Sequence, residues 1–291
     1  MVIEHVPAPA RALIEGLTGA LREIPGVAAV ALGGSYARGT QHAGSDVDLG
    51  LYYAEAAPFS VAAIRRVADH VAVRPPVVTD FYEWGPWVNG GAWIPTRIGK
   101  VDFLYRNVDQ VRRVIEDARH GKIELHYGQQ PPFGFHSVIY LGETEVTVPL
   151  HDPQGILLAL KRSVSPYPPA LQHTIIREYL WAVEFTLLFG RDAAARADVY
   201  STAGCLTRAF SYLTQVMFAL NERYFISDKG ALQAIAAFPV TVPAYADRVT
   251  RVLARPGATA AELSATVADL EALFRDVVAL AGDRYRPKYV L

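Results

Sequence analysis

Cysteine is almost absent from this sequence, which has only Cys205 among its 291 residues. One thiol excludes a disulfide within the chain and any metal site built from several cysteines. An excess of charge of one sign is also absent, because 28 lysines and arginines face 29 aspartates and glutamates. Proteins that hold long nucleic acids usually carry a basic excess. The balance therefore favours a small-molecule or protein partner, although a local basic groove for RNA stays possible.

Long hydrophobic runs are missing as well. The longest, "LWAVEFTLLFG", is short and is interrupted by Glu184, so we expect no membrane-spanning helix. The opening residues, "MVIEHVPAPARALIEGL", lack the basic start and apolar core of a signal peptide. We therefore expect a cytoplasmic protein, with which the single cysteine agrees. Hydrophobic residues make up 51% of the chain, enough for one large domain or two medium-sized ones.

The pattern of apolar residues changes near residue 150. Before it, helical patterns alternate with strand-like runs: "VAAVALGG", "DVDLGLYY", "PVVTDFYE", "IGKVDFLYR", "KIELHYG" and "HSVIYLG". After it, apolar residues recur every three or four positions, as in helices, with a possible break at Gly204. The sequence predicts an α+β protein: a mixed sheet flanked by helices over residues 1–150, followed by a helical bundle over 151–291. We expect a ligand between these two domains.

Two aspartates alternate along the strand-like run "SDVDLGLYY". Side chains at i and i+2 of a strand point to the same side, so Asp46 and Asp48 should lie together. Two such carboxylates repel each other unless a cation lies between them. Because Mg²⁺ in proteins takes one or two carboxylates and completes its shell with water and substrate phosphates, this pair suits a Mg²⁺–nucleotide complex.

The segment "GGSYARG" precedes the aspartates and has the residues of a phosphate-binding turn. Gly33 and Gly34 allow a sharp turn and close approach to a ligand. Their backbone N–H groups and the Ser35 hydroxyl would donate to phosphate oxygens. Arg38, one helical turn on, offers a forked donor to the same triphosphate. We expect a short helix and a turn between Ser35 and Asp46.

A third acid, Asp102, lies within the apolar strand-like run "KVDFLYR". An unpaired carboxylate buried there would be costly. It is better explained beside Asp46 and Asp48, where three carboxylates would complete a site for two Mg²⁺ ions. Asp102 would then act as the general base or orient the attacking hydroxyl.

The pattern "GGSYARG…SDVDL" with the later "VDFLY" resembles the DNA polymerase β-type nucleotidyltransferase superfamily. Most of the chain resembles a largely uncharacterised bacterial family of nucleotidyltransferase-domain proteins, and the helical half resembles aminoglycoside and lincosamide nucleotidyltransferases. The resemblance implies Mg²⁺-dependent transfer of a nucleoside monophosphate from a triphosphate, ATP being favoured, to a hydroxyl group, with release of pyrophosphate. It makes Asp46, Asp48 and Asp102 both catalytic residues and metal ligands. The residues expected to bind the nucleotide are Gly33, Gly34, Ser35, Arg38, Ser45, Tyr224 and Lys229.

Two segments allow more than one interpretation. Trp84, Trp87 and Trp93 lie in the loop-rich "FYEWGPWVNGGAWIPTR", and they either line an acceptor pocket or pack on the sheet. In "LNERYFISDKG", Lys229 either reaches the triphosphate, with Tyr224 near the base, or stays in solvent at a helix end.

Three functions remain open at this stage. The first is nucleotidyl transfer to a small molecule or a protein. The second is the same chemistry on RNA, such as a tRNA end, which would require a basic groove. The third is a non-enzymatic nucleotide sensor or toxin–antitoxin component. The oligomeric state and the acceptor are not specified by the sequence.

Overall fold

The computed structural model describes residues 3–289, which divide into two compact units. The first unit comprises the chain up to Glu116 together with residues 125–129 and 134–166. The second comprises residues 117–124, 130–133 and the chain from Tyr167 onwards. The helix Ile156–Ser163, expected in the helical half, therefore lies in the first unit.

The first unit is built on a six-stranded mixed sheet with the strand order β3-β4-β5-β2-β1-β8. Strand β2 pairs in parallel with β5, and the other pairings are antiparallel. A separate two-stranded hairpin is formed by β6 and β7. The strands are β1 (Ala29–Leu32), β2 (Val47–Tyr53), β3 (Val77–Val78), β4 (Gly91–Thr96), β5 (Gly99–Asn107), β6 (Leu125–His126), β7 (Phe135–His136) and β8 (Val148–His151).

Alternation along the strands gives this sheet one apolar face and one polar face. Residues at every second position, such as Leu49 and Leu51 of β2 and Phe103 of β5, are fully buried in a single hydrophobic core. Apolar side chains of two helices, among them Ile14 and Ile64, join that core. We call the opposite face, which carries the remaining positions, the polar face. Because side chains alternate along a strand, the residues that pack in the core and the residues on the polar face lie on opposite sides of the sheet.

Six helices begin in the first unit: α1 (Ala8–Leu21), α2 (Gly34–Arg38), α3 (Val61–Val71), α4 (Val108–Arg119), α5 (Ile139–Val146) and α6 (Ile156–Ser163). One end of the polar face is covered by α5. There, Arg106 of β5 is buried and donates two hydrogen bonds of 2.9 Å to the carboxylate of Glu143 in α5. The buried guanidinium is thereby neutralised by a bidentate partner.

The second unit is helical. Its α-helices are α7 (Pro169–Thr174), α8 (Leu180–Ala195), α9 (Val199–Leu220), α10 (Ala231–Ala236), α11 (Tyr245–Ala254) and α12 (Ala260–Ala281). A π-helical turn, Ile175–Tyr179, joins α7 to α8. Helix α12 starts with a complete capping box between Thr259 and Glu262. The mixed sheet with flanking helices, followed by a helical C-terminal region, confirms the predicted α+β fold.

Two predictions of local structure are wrong. In the run "HSVIYLG", His136 ends β7, but residues 139–142 begin helix α5 instead of continuing a strand. A short apolar run that is buried on all sides has no period to distinguish a helix from a strand. Gly204 does not interrupt α9, which is continuous over Val199–Leu220. One glycine costs a helix about 1 kcal/mol, and the many buried side chains of α9 outweigh that cost.

Among residues 3–289, no helix combines the length and the apolar character that crossing a membrane requires.

Candidate active site

The candidate site is a group of charged side chains on the polar face, at the centre of the sheet. Asp48 of β2 lies directly opposite Asp102 of β5 in the parallel register. Directly opposed residues in neighbouring strands point to the same face, and the strands are about 4.8 Å apart. Asp46, two residues before Asp48, belongs to the same face. The fold therefore brings the three predicted acids to one face of two adjacent strands.

Lys100 is a fourth member of this group, and the sequence analysis missed it. It lies two residues before Asp102 on β5, so its side chain is on the same face. The Lys100 Nζ is 2.9 Å from Asp102 Oδ2 and 3.2 Å from Asp46 Oδ2. The ammonium therefore lies between two of the three carboxylates. The "KVD" spacing could have revealed it, since a lysine at i−2 of a strand aspartate always shares its face.

The ionised forms of Asp48 and Asp102 are disfavoured although Lys100 lies beside them. Burial raises the pKa of Asp48 to about 7, with further contributions from the negative charges of Asp102 and Asp46, against which Lys100 acts. Burial also raises the pKa of Asp102, although its hydrogen bond to Lys100 opposes the shift. Burial lowers the pKa of Lys100, but the hydrogen bonds and charges of Asp102 and Asp46 outweigh it and raise the pKa overall. The group has more negative charge than one ammonium can balance.

The glycine turn lies against this acid pair. Gly33 ends the run from β1 and donates its backbone N–H to Asp48 O at 2.8 Å. Gly34 follows with φ +57°, a left-handed conformation that favours glycine. A Cβ added there would lie 1.8 Å from Asp48 Oδ2. The turn was predicted from its suitability for phosphate, and the structure adds a second reason: only glycine leaves room for the Asp48 carboxylate.

The other predicted residues of the motif lie in or near the short helix α2. Ser35 is half-buried in α2, whose last residue, Arg38, is exposed and donates its Nε–H to Gly34 O at 3.2 Å. Ser45 accepts a hydrogen bond from the backbone N–H of His42 at 2.9 Å, which closes the turn before Asp46. Gly33, Gly34, Ser35, Arg38 and Ser45 thus belong to one connected segment. Their contact with a nucleotide stays a prediction.

The tryptophan-rich stretch contains two kinds of tryptophan. Trp87 is buried and stacks on Phe135, so it is a packing residue. Trp93 is 46% exposed, pairs in register with Asp102, and stacks on Trp84 with ring centroids 4.8 Å apart. Lys100 Nζ lies 5.7 Å from the Trp93 ring centroid. Packing accounts for Trp87, whereas contact of Trp84 and Trp93 with an acceptor stays a prediction.

The two predicted residues of the helical half lie in the second unit. Tyr224 is 4% exposed and stacks on Tyr167 with ring centroids 4.6 Å apart, so its ring belongs to the packing of that unit. Lys229 is exposed, and its backbone N–H donates to Ser227 Oγ at 3.1 Å. Contact of Tyr224 and Lys229 with a nucleotide remains a prediction, as does the expected site between two domains.

The residues present suit a divalent cation. Within residues 3–289, no three His, Cys, Asp or Glu side chains are arranged to hold a metal ion. However, Asp102 Oδ1 is buried and has no hydrogen-bond partner among the described residues. The pKa of Asp48 is raised first by burial and then by the negative charges of Asp102 and Asp46 beside it. Carboxylate oxygens are the ligands that Mg²⁺ takes, so Asp46, Asp48 and Asp102 fit this metal.

The raised pKa of Asp48 gives the metal-free protein a characteristic pH dependence. The folded state keeps a proton on Asp48 up to about pH 7, whereas the carboxyl of the unfolded chain loses it near 3.8. The stability that protonated Asp48 contributes is therefore fully present below pH 3.8, the pKa of this carboxyl in the unfolded chain. It is lost as the pH rises through about 7, the pKa in the folded state. We expect the melting temperature of the wild type to fall more steeply between pH 5 and pH 8, by several degrees, than that of Asp48→Asn.

Differential scanning fluorimetry in the presence of a chelator measures both curves. Other groups titrate equally in the two proteins, so only the difference between the curves is diagnostic. Parallel curves for the wild type and Asp48→Asn would show that ionisation of Asp48 does not destabilise the folded protein.

Part of the chain is similar to a known family of domains. Residues 14–90 match the family model "Nucleotidyltransferase domain". This segment contains the glycine turn, Asp46 and Asp48, while Asp102 lies beyond it. Among curated proteins none matches the chain. Among solved structures, the chain is similar to the nucleotidyltransferase-like protein from Exiguobacterium sibiricum 255-15, with a TM-score of 0.45 and 10% identity over 94% of this chain and 76% of that chain.

Proposed function

We propose that this chain, whose residues 14–90 match the nucleotidyltransferase domain family, transfers a nucleoside monophosphate from a nucleoside triphosphate to a hydroxyl group. The acceptor is a small molecule or a protein, the metal is Mg²⁺, and pyrophosphate is the leaving product. The observation that carries the proposal is the register of β2 and β5, which sets Asp48 opposite Asp102 beside the Gly34 turn. Asp46, Asp48 and Asp102 would hold the metal.

In the proposed reaction, the acceptor oxygen forms a bond to the α-phosphorus while the bond from that phosphorus to the pyrophosphate oxygen breaks. Pyrophosphate leaves with the electron pair of the broken bond. Bound Mg²⁺ would supply charge neutralisation for the phosphates and lower the pKa of the attacking hydroxyl. Asp102, half-buried and with a raised pKa, accepts the hydroxyl proton as general base.

The remaining residues of the site bind and orient the triphosphate. The backbone N–H of Gly34 and the hydroxyl of Ser35 donate to phosphate oxygens. The Arg38 guanidinium has two terminal nitrogens besides the Nε that bonds Gly34 O, and these are available to the polyphosphate. Lys100 is paired with Asp46 and Asp102. If a metal balanced these two carboxylates, the Lys100 ammonium would be available to donate to a phosphate oxygen.

Binding of ATP in the presence and absence of Mg²⁺ tests this proposal. We expect calorimetry to detect ATP binding to the wild type with Mg²⁺, and binding at least about tenfold weaker by the double variant Asp46→Ala/Asp48→Ala, a loss of about 1.4 kcal/mol. Asp69→Asn is the matched control, because Asp69 is exposed on α3, the helix that packs on the apolar face. Equal ATP binding by wild type and double variant would contradict the proposal.

A further inference from the structure

A cavity of about 570 Å³ lies on the first unit beside the acid group. It is formed where the segment after α3 meets strands β3 and β4 and the turn into β5. The residues that matter for its chemistry are Val73, Arg74, Val77, Trp93, Pro95 and Lys100. Neither the proposed nucleotide contacts nor the three acids account for this cavity.

The charged residues that line the cavity have one sign. Arg74 and Lys100 contribute two cations, and no aspartate or glutamate is among the described residues of its wall. Lys100 is already paired with Asp46 and Asp102, so Arg74 is the cation of the wall that remains for an occupant. Arg74 is exposed. The wall therefore favours an anionic occupant over a cationic one.

The rest of the wall is apolar and unusually exposed. Val73 is 52% exposed, Val77 is 51% and Trp93 is 46%. Val77 and Trp93 are partners in the register of β3 and β4, so their side chains are neighbours on the polar face. Large hydrophobic side chains that cluster in solvent commonly mark a binding surface. The indole of Trp93 is held in place by its stack on Trp84, which gives a planar ring or apolar body a rigid surface to contact.

The cavity is within reach of the proposed chemistry. Trp93 pairs in register with Asp102, the proposed general base, so one inter-strand spacing of about 4.8 Å separates their backbones. Lys100 touches both regions: it lines the cavity, and its Nζ is 2.9 Å from Asp102 Oδ2. A molecule resting on Trp93 could therefore present a hydroxyl group to Asp102.

We propose that this cavity is the acceptor site and that it takes a hydroxyl compound with a planar or apolar body and a negatively charged group. The inference rests on the proposed function, and it adds the chemical class of the acceptor. The body packs on Trp93 and Val77, the anionic group binds Arg74, and the hydroxyl is directed to Asp102. The charge of Arg74 disfavours polycationic acceptors.

The test uses two probes of similar size and opposite charge. Phloretate has a hydroxyphenyl ring and a carboxylate, and tyramine has the same ring and an ammonium group. With Mg²⁺ present, we expect a ligand-observed NMR titration to give phloretate an affinity at least about tenfold higher than tyramine for the wild type, because one charge changes sign beside Arg74. Arg74→Glu should abolish or invert the preference, and Trp93→Ala should weaken both probes by about tenfold.

Arg66→Glu is the matched control, since Arg66 is an exposed arginine of α3 outside the cavity wall, and it should keep the wild-type preference. Tighter binding of tyramine to the wild type, or a preference unchanged by Arg74→Glu, would overturn the inference. Mg²⁺-dependent ATP binding tests the proposed function separately. Intact ATP binding without the probe preference rejects only the acceptor class. Probe preference without Mg²⁺-dependent ATP binding rejects the nucleotidyltransferase reaction and leaves an anion-binding cavity.

Discussion

Replacement of Asp102 by asparagine is expected to reduce nucleotidyl transfer by about a thousandfold or more while leaving the fold intact. The amide has the shape of the carboxylate but neither accepts the acceptor's proton nor balances a divalent cation, and loss of a general base alone typically costs a factor of about 100 to 10,000. Stability should change little, because burial disfavours the ionised Asp102 and so offsets what its ion pair with Lys100 contributes. Loss of activity without loss of stability separates a chemical role from a structural one.

The measurement is transfer of label from α-labelled ATP to components of a cell extract, corrected for extract without added protein. Thermal unfolding of the same samples reports the fold. Asp69→Asn, an exposed carboxylate on the helix behind the apolar face, should transfer label at the wild-type rate. An Asp102→Asn protein that melts normally and retains more than about a tenth of the wild-type rate would exclude Asp102 as the base.

The acids of this site were predictable because strand geometry is local and periodic. Asp46 and Asp48 share a face by their spacing, and Asp102 is an acid in an apolar strand run, which demands an explanation. The pairing of Asp48 with Asp102 depends on a parallel register between strands 54 residues apart, which no local pattern specifies. The motif predicted that Asp48 and Asp102 lie side by side, and the parallel register of β2 and β5 places them there.

Lys100 shows that the glycines and acids of the motif do not identify every charged residue of the site. Its side chain was identifiable as a neighbour of Asp102 from the strand period, but its position between Asp102 and Asp46 follows from the pairing of two strands. The tryptophans show a second limit. Trp87 and Trp93 occur in the same loop-rich run, and only the fold decides that Trp87 is buried and Trp93 is exposed.

Helix α5 shows a third limit. Its segment, residues 139–146, has a β-branched and aromatic start that is typical of a strand. Tertiary contacts override that preference, because α5 supplies Glu143 to the buried Arg106 on the polar face. Sequence periodicity thus located the sheet and its polar face, whereas the element that covers one end of that face depends on a long-range ion pair.

Replacement of Gly34 by alanine is expected to abolish the site. The new Cβ would lie 1.8 Å from Asp48 Oδ2, so either the turn or the carboxylate must move. The backbone at Gly34 also has φ +57°, which costs an alanine roughly 1 to 2 kcal/mol by itself. The clash adds to that strain, and we expect a total loss of about 3 kcal/mol or more in the free energy of unfolding.

Gly155→Ala isolates the contribution of the clash. Gly155 lies in the same unit at φ +67°, and no described atom lies within 4 Å of an added Cβ, so this variant carries the backbone strain alone. Urea unfolding should therefore show a loss of about 1 kcal/mol for Gly155→Ala and a clearly larger loss for Gly34→Ala. Mg²⁺-dependent ATP binding should survive in the first variant and fall at least about tenfold in the second. Equal losses of stability and binding in both variants would mean that the Asp48 carboxylate does not depend on the space that Gly34 leaves.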